Sequence, residues 1–229
     1  EKEALQKLDV ALMDSVMVHQ RSDVPYGMFL SGGVDSSVIL ACMRDLNERP
    51  VEAFTAGFSG TSVNDERDHA KIVADAAGAN FNNVEFSEND FWELLPEIVA
   101  AMDDPAADYA ILPTYKLGKA CHDAGLKVVL SGEGGDELFA GYGRYRRQIR
   151  PWYLGGRKMR SRGVFHGLGL LRDTSGQWQD HLDAVWGKES NPQRTKLQTA
   201  QAVDCADWLA HDLLIKLDRC LMAHGVEGR

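Results

Sequence analysis

Hydrophobic and polar positions follow two different periods along the first 130 residues. Apolar residues recur every three or four positions in several segments, which predicts amphipathic helices. These segments are residues 5–18, about 38–46, 65–77, 87–102 and about 113–124. Short apolar runs at 28–30, 51–58, 81–86 and 126–130 predict strands between them. Strands that alternate with helices favour an α/β fold, a parallel twisted sheet with helices on both faces.

Glycine and capping residues mark the ends of two of these helices. Gly78 stands where the third helix should stop, and residues 87–90 form a capping box for the fourth. The run 126–130 is almost purely apolar, which predicts a central strand covered on both faces. The inner face of the second helix is predicted to carry Val38, Ile39, Cys42, Met43 and Leu46.

Periodicity weakens between residues 154 and 202, which predicts a partly mobile segment or one that lacks residues. An apolar helix follows, with Leu213, Leu214, Leu217 and Leu221 on one face. We therefore expect an α/β core over residues 1–150 and a mainly helical extension over residues 151–229. The polar loop through Asn64 and the helix stop at 103–105 are the remaining expected connections.

The first chemical signal is a glycine turn between the first strand and the second helix. This first glycine loop, residues 31–37, reads SGGVDSS. The first N–H groups of a helix have no internal partner, and they carry the positive end of the helix dipole, so they attract anions. Gly32 and Gly33 allow close approach of a phosphate, and Ser31, Ser36 and Ser37 offer hydroxyl groups. The loop has no lysine, which excludes the common G-x-x-x-x-G-K-[ST] phosphate loop.

A second glycine loop, residues 131–137, follows the apolar strand at 126–130. It reads SGEGGDE and places three acids beside three glycines. Acids in a first helical turn are common, yet a helix start needs one N-cap residue and not this run of glycines. Parallel strands end at the same edge of a sheet, so the acids would face the phosphate loop and repel a nucleotide unless a cation lay between them. We predict that Asp35 and Asp136 hold Mg²⁺.

The composition indicates a globular protein and argues against nucleic-acid and membrane partners. The 229 residues are 44% hydrophobic and 26% charged, as in an ordinary globular protein, and acids outnumber bases 34 to 25. This charge argues against nucleic acid as a partner. No apolar run approaches the ~20 residues that span a bilayer, and the widely spaced cysteines suit reduced thiols, so we expect no membrane partner and a cytoplasmic protein. The chain starts at Glu1, which suggests a piece of a longer protein.

The two loops, SGGVDSS and SGEGGDELFAGYGRY, resemble those of the synthetase domain of glutamine-hydrolysing asparagine synthetases and their close relatives. Further segments that carry the resemblance are residues 54–58, 65–66, 103–105, 112–115 and 214–229. It covers the whole length, although residues 150–203 contribute little. The resemblance implies the PP-loop fold of adenine nucleotide α-hydrolases, in which ATP is cut between its α and β phosphates.

The resemblance also implies roles for individual residues. ATP and Mg²⁺ would be the cofactors. Backbone at Leu30, Ala56, Ser131 and Gly132 would hold adenosine, and Ser31, Gly32, Gly33, Asp35 and Ser36 would hold pyrophosphate. Glu133 would serve the formation and use of β-aspartyl-AMP and accept a proton from the incoming ammonium nitrogen. The simpler interpretation of Glu133 is an acid at a helix start that orders water or metal.

The implied reaction makes asparagine from aspartate in two steps, adenylation of a carboxylate and attack by ammonia. In the family an N-terminal glutaminase domain delivers the ammonia, and the chain continues past the position of Arg229. Neither part is present here, so we expect an incomplete catalyst that would work in a longer form, as a homodimer.

The acid substrate stays open because residues 108–112 read DYAIL, where the family's best-known members carry a Thr-Ile-Arg-Ala-Ser-type run. The alternative is a related adenylating amidotransferase or a β-lactam synthetase-like enzyme that acts on another small carboxylic acid. A nucleotide-binding module without chemistry is a third hypothesis. Such a module would be expected to lack Asp35, Glu133 or Asp136, and all three are present.

Two groups of basic residues have no assigned role. Eight lie between residues 144 and 162 without an acid among them, and we favour a solvated connector or a docking face over a phosphate-approaching lid. Lys216 and Arg219 share one face of the last helix, where they either reach the site or extend to water.

Overall fold

The computed structural model describes residues 1–58, 65–103, 108–160, 168–170 and 177–229. These residues form two compact units. The first comprises Glu1–Gly132 and Leu214–Arg229, and the second comprises Glu133–Leu213. The predicted polar loop at 59–64 and part of the predicted helix stop, residues 104–105, lie outside the described residues.

The first unit is built on a five-stranded parallel sheet, which confirms the predicted α/β fold. Its strands are β1 (Tyr26–Phe29), β2 (Glu52–Gly57), β3 (Asn80–Glu85), β4 (Val128–Leu130) and β5 (Glu227–Gly228). Their order is β3-β2-β1-β4-β5, and every neighbouring pair runs parallel. The sequence pattern missed β5, because a two-residue strand has no apolar run of its own.

Helices occupy most of the remaining described chain. They are α1 (Lys2–His19), α2 (Val34–Leu46), α3 (Arg67–Ala77), α4 (Glu88–Met102), α5 (Ile111–Asp123), α6 (Gly135–Phe139), α7 (Gly143–Ile149), α8 (Gln177–Glu189), α9 (Lys196–Val203) and α10 (Leu214–Met222). A short 3-10 helix spans Trp152–Leu154, and a π-helix spans Asp204–Leu213. The predicted ends of two helices are confirmed: Gly78 closes α3 at a φ of 69°, and the Ser87–Asp90 capping box opens α4.

Alternate residues of the strands face two separate cores. Met28, Ala53 and Val128 pack with α1, α2 and α3 on one face of the sheet. Phe54 and Val129 pack with α5 and α10 on the other. All three residues of β4 are buried, as predicted for a strand covered on both faces. This packing leaves the carboxyl ends of the strands as the edge where loops can form a site.

The predicted inner face of α2 was wrong at one position. Val38 is exposed, whereas Leu40, which the prediction omitted, is fully buried. Successive helical residues are about 100° apart, so Val38 and Leu40 point to opposite sides of α2. The buried stripe runs through Ser36, Leu40 and Met43, and it brings Ser36 of the first glycine loop under the sheet edge.

The described part of the second unit is mainly helical. Its core contains Tyr145, Met159 and Ala200, with Trp186 and Leu197 packed against them. The segment 154–202, predicted to be partly mobile or to lack residues, contains α8 and most of α9 in its described part. A capping box of Thr195 and Gln198 opens α9, a signal that the periodicity analysis passed over.

All four cysteines are free, as the sequence predicted. Burial raises the pKa of Cys121 and that of Cys220 to about 12, which keeps both as inert thiols. Among the described residues, we find no helix that combines the length and the apolar character needed to cross a membrane.

Candidate functional site

The first glycine loop is tied to the neighbouring strand β2. Leu30 is buried, and its N–H donates to the Phe54 carbonyl at 2.9 Å. The buried hydroxyl of Thr55 donates to the Leu30 carbonyl at 2.6 Å. Both backbone groups of Leu30 are therefore held by β2, so the loop starts from a fixed point at the sheet edge.

Serine hydroxyls shape the turn itself. The Ser31 and Ser36 Oγ atoms lie 3.0 Å apart, and the Gly33 N–H donates to Ser31 Oγ at 3.2 Å. Ser36 and Ser37 both donate to the Gly33 carbonyl, at 3.2 and 2.7 Å. The Ser37 N–H donates to the carbonyl of Gly33, the N-cap residue of α2, at 3.1 Å. The start of α2 carries the positive end of the helix dipole and is therefore the anion-attracting end of the helix.

Gly32 is required by its conformation and by its neighbours. Its φ is +77°, and a Cβ atom at this position would lie 3.0 Å from the Ala70 nitrogen and 3.1 Å from the His69 ring. The start of α3 thus lies directly against the loop. Sequence reasoning missed this role of α3, because nothing in its helical period marks which residues face a turn.

The end of β4 meets the first glycine loop. A Cβ atom on Gly132 would lie 3.2 Å from the Ser36 nitrogen and 3.5 Å from Asp35 Cβ. The adjacent Ser131 N–H donates to the Arg229 carbonyl at 2.8 Å. The structure therefore brings Gly132 into contact with the start of α2, as expected for two loops at one sheet edge.

The predicted adenosine-binding positions lie at the carboxyl ends of three adjacent strands. Leu30 follows β1, Ala56 is near the end of β2, and residues 131–132 follow β4. The register aligns Met28 with both Ala53 and Leu130, which puts these strand ends at one level of the sheet. All of these positions belong to the first unit.

Glu133 and Asp136 belong to the second unit. Glu133 is exposed, and Asp136 stands in the first turn of α6. The Gly141 N–H donates to the Asp136 carbonyl at 3.0 Å, and the Asp136 carboxylate lies so close to the Gly141 Cα that a side chain there would collide with it. Gly141 therefore helps to define where that carboxylate points.

The predicted metal ligands fit magnesium by their chemistry. Asp35 and Asp136 offer the hard carboxylate oxygens that Mg²⁺ takes together with phosphate oxygens. Within the described ranges, no group of three or more His, Cys, Asp or Glu side chains forms a metal-binding cluster. A magnesium ion shared by these two aspartates stays a prediction.

Sequence reasoning missed a buried acid next to Asp136. Glu137 is fully buried, and burial raises the pKa of its carboxyl, although Tyr142 and Arg144 act in the opposite direction. The Arg144 guanidinium lies 4.0 Å from Glu137 Oε1 and stacks 3.8 Å from the Tyr142 ring centre. A buried glutamate looks the same in sequence as an exposed first-turn acid, so no signal could have identified it.

The interpretation of the basic residues at 144–162 as a solvated connector was wrong for two of them. Arg144 bonds Asp204, which is fully buried, at 2.8 Å. Arg160 bonds Asp204 as well, and it bonds Asp207 at 2.6 Å. The remaining described arginines of the group, Arg146, Arg147, Arg150 and Arg157, are exposed, Lys158 pairs with the exposed Asp183, and Arg162 lies outside the described residues.

Lys216 and Arg219 have different environments in the first unit. Lys216 is buried, with 3% of its surface exposed, and its Nζ lies 2.8 Å from Asp108. It therefore does not extend to water. Arg219 forms an exposed pair with Asp103 at 2.9 Å. Asp108 is the first residue of the DYAIL segment, so the departure from the better-known family pattern coincides with a buried ion pair.

Comparison with known proteins agrees with this architecture. The asparagine synthase family matches residues 7–229. The chain is 30% identical to asparagine synthetase [glutamine-hydrolyzing] 1 of Bacillus subtilis, over 96% of this chain and 40% of that protein. It is 34% identical to a putative asparagine synthetase of Mycobacterium bovis, over 97% of this chain and 40% of that protein.

A third relative is asparagine synthetase B of Escherichia coli, 33% identical over 59% of this chain and 27% of that protein. The chain thus spans 40% or less of the length of these three relatives. A family match over nearly the whole chain, together with two glycine loops at the edge of a parallel sheet, leads to one assignment. The chain belongs to the asparagine synthase family.

Proposed function

We propose that this chain is the synthetase part of an ATP-dependent amide ligase. It would adenylate a carboxylate, with aspartate as the first candidate, and pass the acyl group to ammonia to give asparagine. The observation that carries the proposal is the proximity of Gly132 to the start of α2, where a Cβ atom built on Gly132 would lie 3.2 Å from the Ser36 nitrogen. This contact joins the glycine turn after β4 to the anion-attracting helix end after β1.

The first unit offers a binding surface suited to ATP. Adenosine would lie against the backbone at Leu30, Ala56 and residues 131–132. The pyrophosphate group would lie at the first glycine loop, against the N–H groups at the start of α2. Gly32 and Gly33 leave room for the phosphate oxygens, and the Ser31–Ser36 hydroxyl pair holds the turn in shape before ATP arrives.

Asp35 and Asp136 would hold Mg²⁺, which neutralises phosphate charge when bound. In the first step, a carboxylate oxygen of the acid attacks the α-phosphorus, and the bond to pyrophosphate breaks. In the second step, nitrogen attacks the acyl carbon and AMP leaves. Glu133, whose side chain is exposed, would accept the proton that the nitrogen loses.

The longer protein would supply what this chain does not contain. We propose a glutaminase domain as the source of ammonia, a homodimer as the assembly and the cytoplasm as the location. The relatives' names support glutamine as the nitrogen donor, since three of them are called glutamine-hydrolyzing. The buried Asp108–Lys216 pair in the DYAIL segment favours a second candidate, in which the same chemistry acts on another small acid.

ATP–pyrophosphate exchange tests the proposal directly. The full-length protein is incubated with ATP, Mg²⁺, labelled pyrophosphate and one acid at a time, with ammonium salts in a second series. We expect aspartate to stimulate exchange and ammonium to convert the intermediate to asparagine. Exchange stimulated by a different acid would keep the chemistry and change the substrate, whereas no stimulation by any acid would overturn the proposal.

The metal assignment needs its own variant. Asp136→Asn keeps the size of the side chain and removes its charge, so we expect loss of Mg²⁺-dependent exchange by at least about 100-fold, the effect of losing a charged contact worth ~3 kcal/mol in the transition state. Asp183→Asn, an exposed acid of the same unit, is the matched control and should keep full exchange. Normal exchange in Asp136→Asn would show that this residue does not hold the metal.

A further inference from the structure

A cluster of buried charges lies in the second unit beside the residues of the proposed reaction. We call Glu137, Arg144, Arg160, Asp204 and Asp207 the anchor cluster. The side chains of Glu137 and Asp204 are 1% and 0% exposed, and the two arginines are 27% and 20% exposed. Burying charge is costly even when it is paired, so hydrophobic residues of the same size would often give equal or greater stability. This cost suggests that the anchor cluster has a role other than stabilising the fold.

The anchor cluster is connected to the backbone that carries Asp136. Glu137 follows Asp136 directly, in a helix of only five residues, α6. Such a short helix has little stability of its own and depends on contacts with its surroundings. Gln201 supplies two of them, because its Nε2 donates to the carbonyls of Glu137 at 3.0 Å and Leu138 at 2.7 Å. The end of α6 is thereby bonded to α9.

The π-helix supplies the other contacts. It carries Asp204 and Asp207, and both bond Arg160. It also carries Leu209, whose methyl group would lie 3.4 Å from a Cβ atom on Gly134. π-Helical turns are uncommon and occur frequently at functional sites, because they shift side chains away from their ordinary helical positions. Here the π-helix contacts the loop before α6 and binds the arginines that face it.

Arg144 links the two buried carboxylates. Its guanidinium lies 4.0 Å from Glu137 and 2.8 Å from Asp204, and the rings of Tyr142 and Tyr145 flank it at 3.8 and 5.6 Å. Stacked and paired guanidinium groups have few alternative positions, which makes Arg144 suited to transmit a fixed geometry. α6 and the π-helix are therefore joined through one side chain.

We propose that Arg144 and Asp204 are positioning residues of the adenylation site, which hold α6 and the preceding loop so that Asp136 and Glu133 stay in a productive arrangement. This inference rests on the function proposed above. Precise positioning contributes strongly to catalysis, since displacements near 1 Å can lower rates 100-fold. Neither residue needs to touch ATP, the acid or the metal for this role.

The test compares two substitutions of Arg144 in the full-length protein. Arg144→Lys keeps a charge that can bond Asp204, whereas Arg144→Met keeps the length and loses the charge. We measure the ATP–pyrophosphate exchange rate as a function of Mg²⁺ concentration, at a temperature well below each variant's melting midpoint. Arg144→Met should lower the maximal rate at least 10-fold and raise the half-saturating Mg²⁺ concentration at least 5-fold. Arg144→Lys should recover much of both.

Asp204→Asn is the second variant and should show the same double effect as Arg144→Met. Should Asp204→Asn fail to fold, the comparison of Lys and Met at position 144 carries the test alone. Thr195→Ala is the matched control for stability, because it removes the cap of α9 without touching the anchor cluster. It should lower the melting midpoint and leave the Mg²⁺ dependence unchanged.

The outcomes separate the two proposals. A wild-type protein without acid-stimulated exchange would overturn the proposed function and this inference with it. A wild type that exchanges normally, with an Arg144→Met variant whose maximal rate and Mg²⁺ dependence are both unchanged, would overturn the inference alone. The inference would also be wrong if Thr195→Ala altered the Mg²⁺ dependence as much as Arg144→Met, because the cluster would then contribute stability only.

Discussion

At the scale of single residues, two hydrogen bonds hold the residue that precedes the first glycine loop. Thr55 Oγ1 and the Phe54 carbonyl hold Leu30 from the side of β2, at 2.6 and 2.9 Å. A loop held by a neighbouring strand loses less entropy when a ligand binds, so affinity here should depend on small changes in the space around the loop.

Gly132 gives a direct measure of that space. Gly132→Ala would place a methyl group 3.2 Å from the Ser36 nitrogen, closer than most real contacts, so the start of α2 must shift. We expect ATP binding, measured by titration calorimetry, to weaken about 10-fold, equivalent to ~1.4 kcal/mol. The matched control is Gly187→Ala in α8, where an added Cβ meets nothing within 4 Å. Equal affinities for wild type and Gly132→Ala would contradict the contact.

The two glycine loops could be located between a strand and a helix from the sequence, because their glycines stand directly beside apolar runs; their binding roles stay predictions. Glycines between a strand and a helix indicate an anion site in any fold. Glu137 and Asp204 could not be predicted in the same way. Whether an acid is buried depends on which helices later pack over it, and Asp204 lies 60 residues from its partner Arg144.

At the scale of elements, the capping box at the start of α4 should make a measurable contribution to stability. Desolvation opposes ionisation of Asp90, yet hydrogen bonds from Lys116 and Ser87 lower the pKa of its carboxyl to about 2. Its oxygens accept from the Ser87 nitrogen at 2.7 Å and from Lys116 Nζ at 2.5 Å. The ionised carboxylate therefore joins the start of α4 to Lys116 of α5.

This shift predicts a pH dependence. The ordinary pKa of an aspartate is about 3.9, so the folded state binds the proton less readily than the unfolded state. The contribution of Asp90 is fully present above about pH 4 and is lost as pH falls towards about 2. Urea unfolding between pH 2 and 5 should give a shallower pH slope for Asp90→Asn than for wild type. Asp75→Asn, in an exposed pair with Lys71, should keep the wild-type slope.

Regular elements with a clear period were predictable, and the exceptions have physical causes. The helices α1 to α5 and strands β1 to β4 were predicted from apolar periods and runs, and Gly78 and the Ser87–Asp90 capping box marked two of the helix ends. β5 is a strand because its two residues pair with the edge of β4, and these residues carry no strand signal of their own. The π-helix could not be predicted from sequence periodicity either. Its residues Asp204, Asp207 and Leu209 make tertiary contacts, which no local pattern shows.

At the scale of the molecule, a buried ion pair joins distant parts of the first unit. Lys216 of α10 and Asp108 are 108 positions apart and lie 2.8 Å from each other. Asp108→Ala would leave a buried ammonium without this partner, so we expect the free energy of unfolding to fall by about 3–5 kcal/mol. The double variant Asp108→Ala with Lys216→Met should recover most of that loss.

The exposed pair of Arg219 and Asp103 is the matched control, since it joins the same helix to the end of α4. Asp103→Ala should cost less than about 1 kcal/mol, as is usual for exposed pairs. Urea denaturation of the three variants measures the difference. A loss of similar size in Asp103→Ala and Asp108→Ala would contradict the importance of burial at Lys216.

The last described residues complete the sheet that the first strands begin. Arg229 donates its N–H to Val129 at 2.8 Å, and its guanidinium donates to the carbonyls of His19 and Arg21 at 3.0 and 2.7 Å. A ribosome adds roughly 5–20 residues per second, so the stretch between Leu130 and Glu227 takes on the order of 10 s to make. During that time the outer edge of β4 has no strand beside it. A nascent chain would therefore carry a partly built sheet whose β4 edge is unpaired. Because unpaired strand edges promote aggregation, we expect the yield of folded protein to depend on how well that edge is shielded during translation.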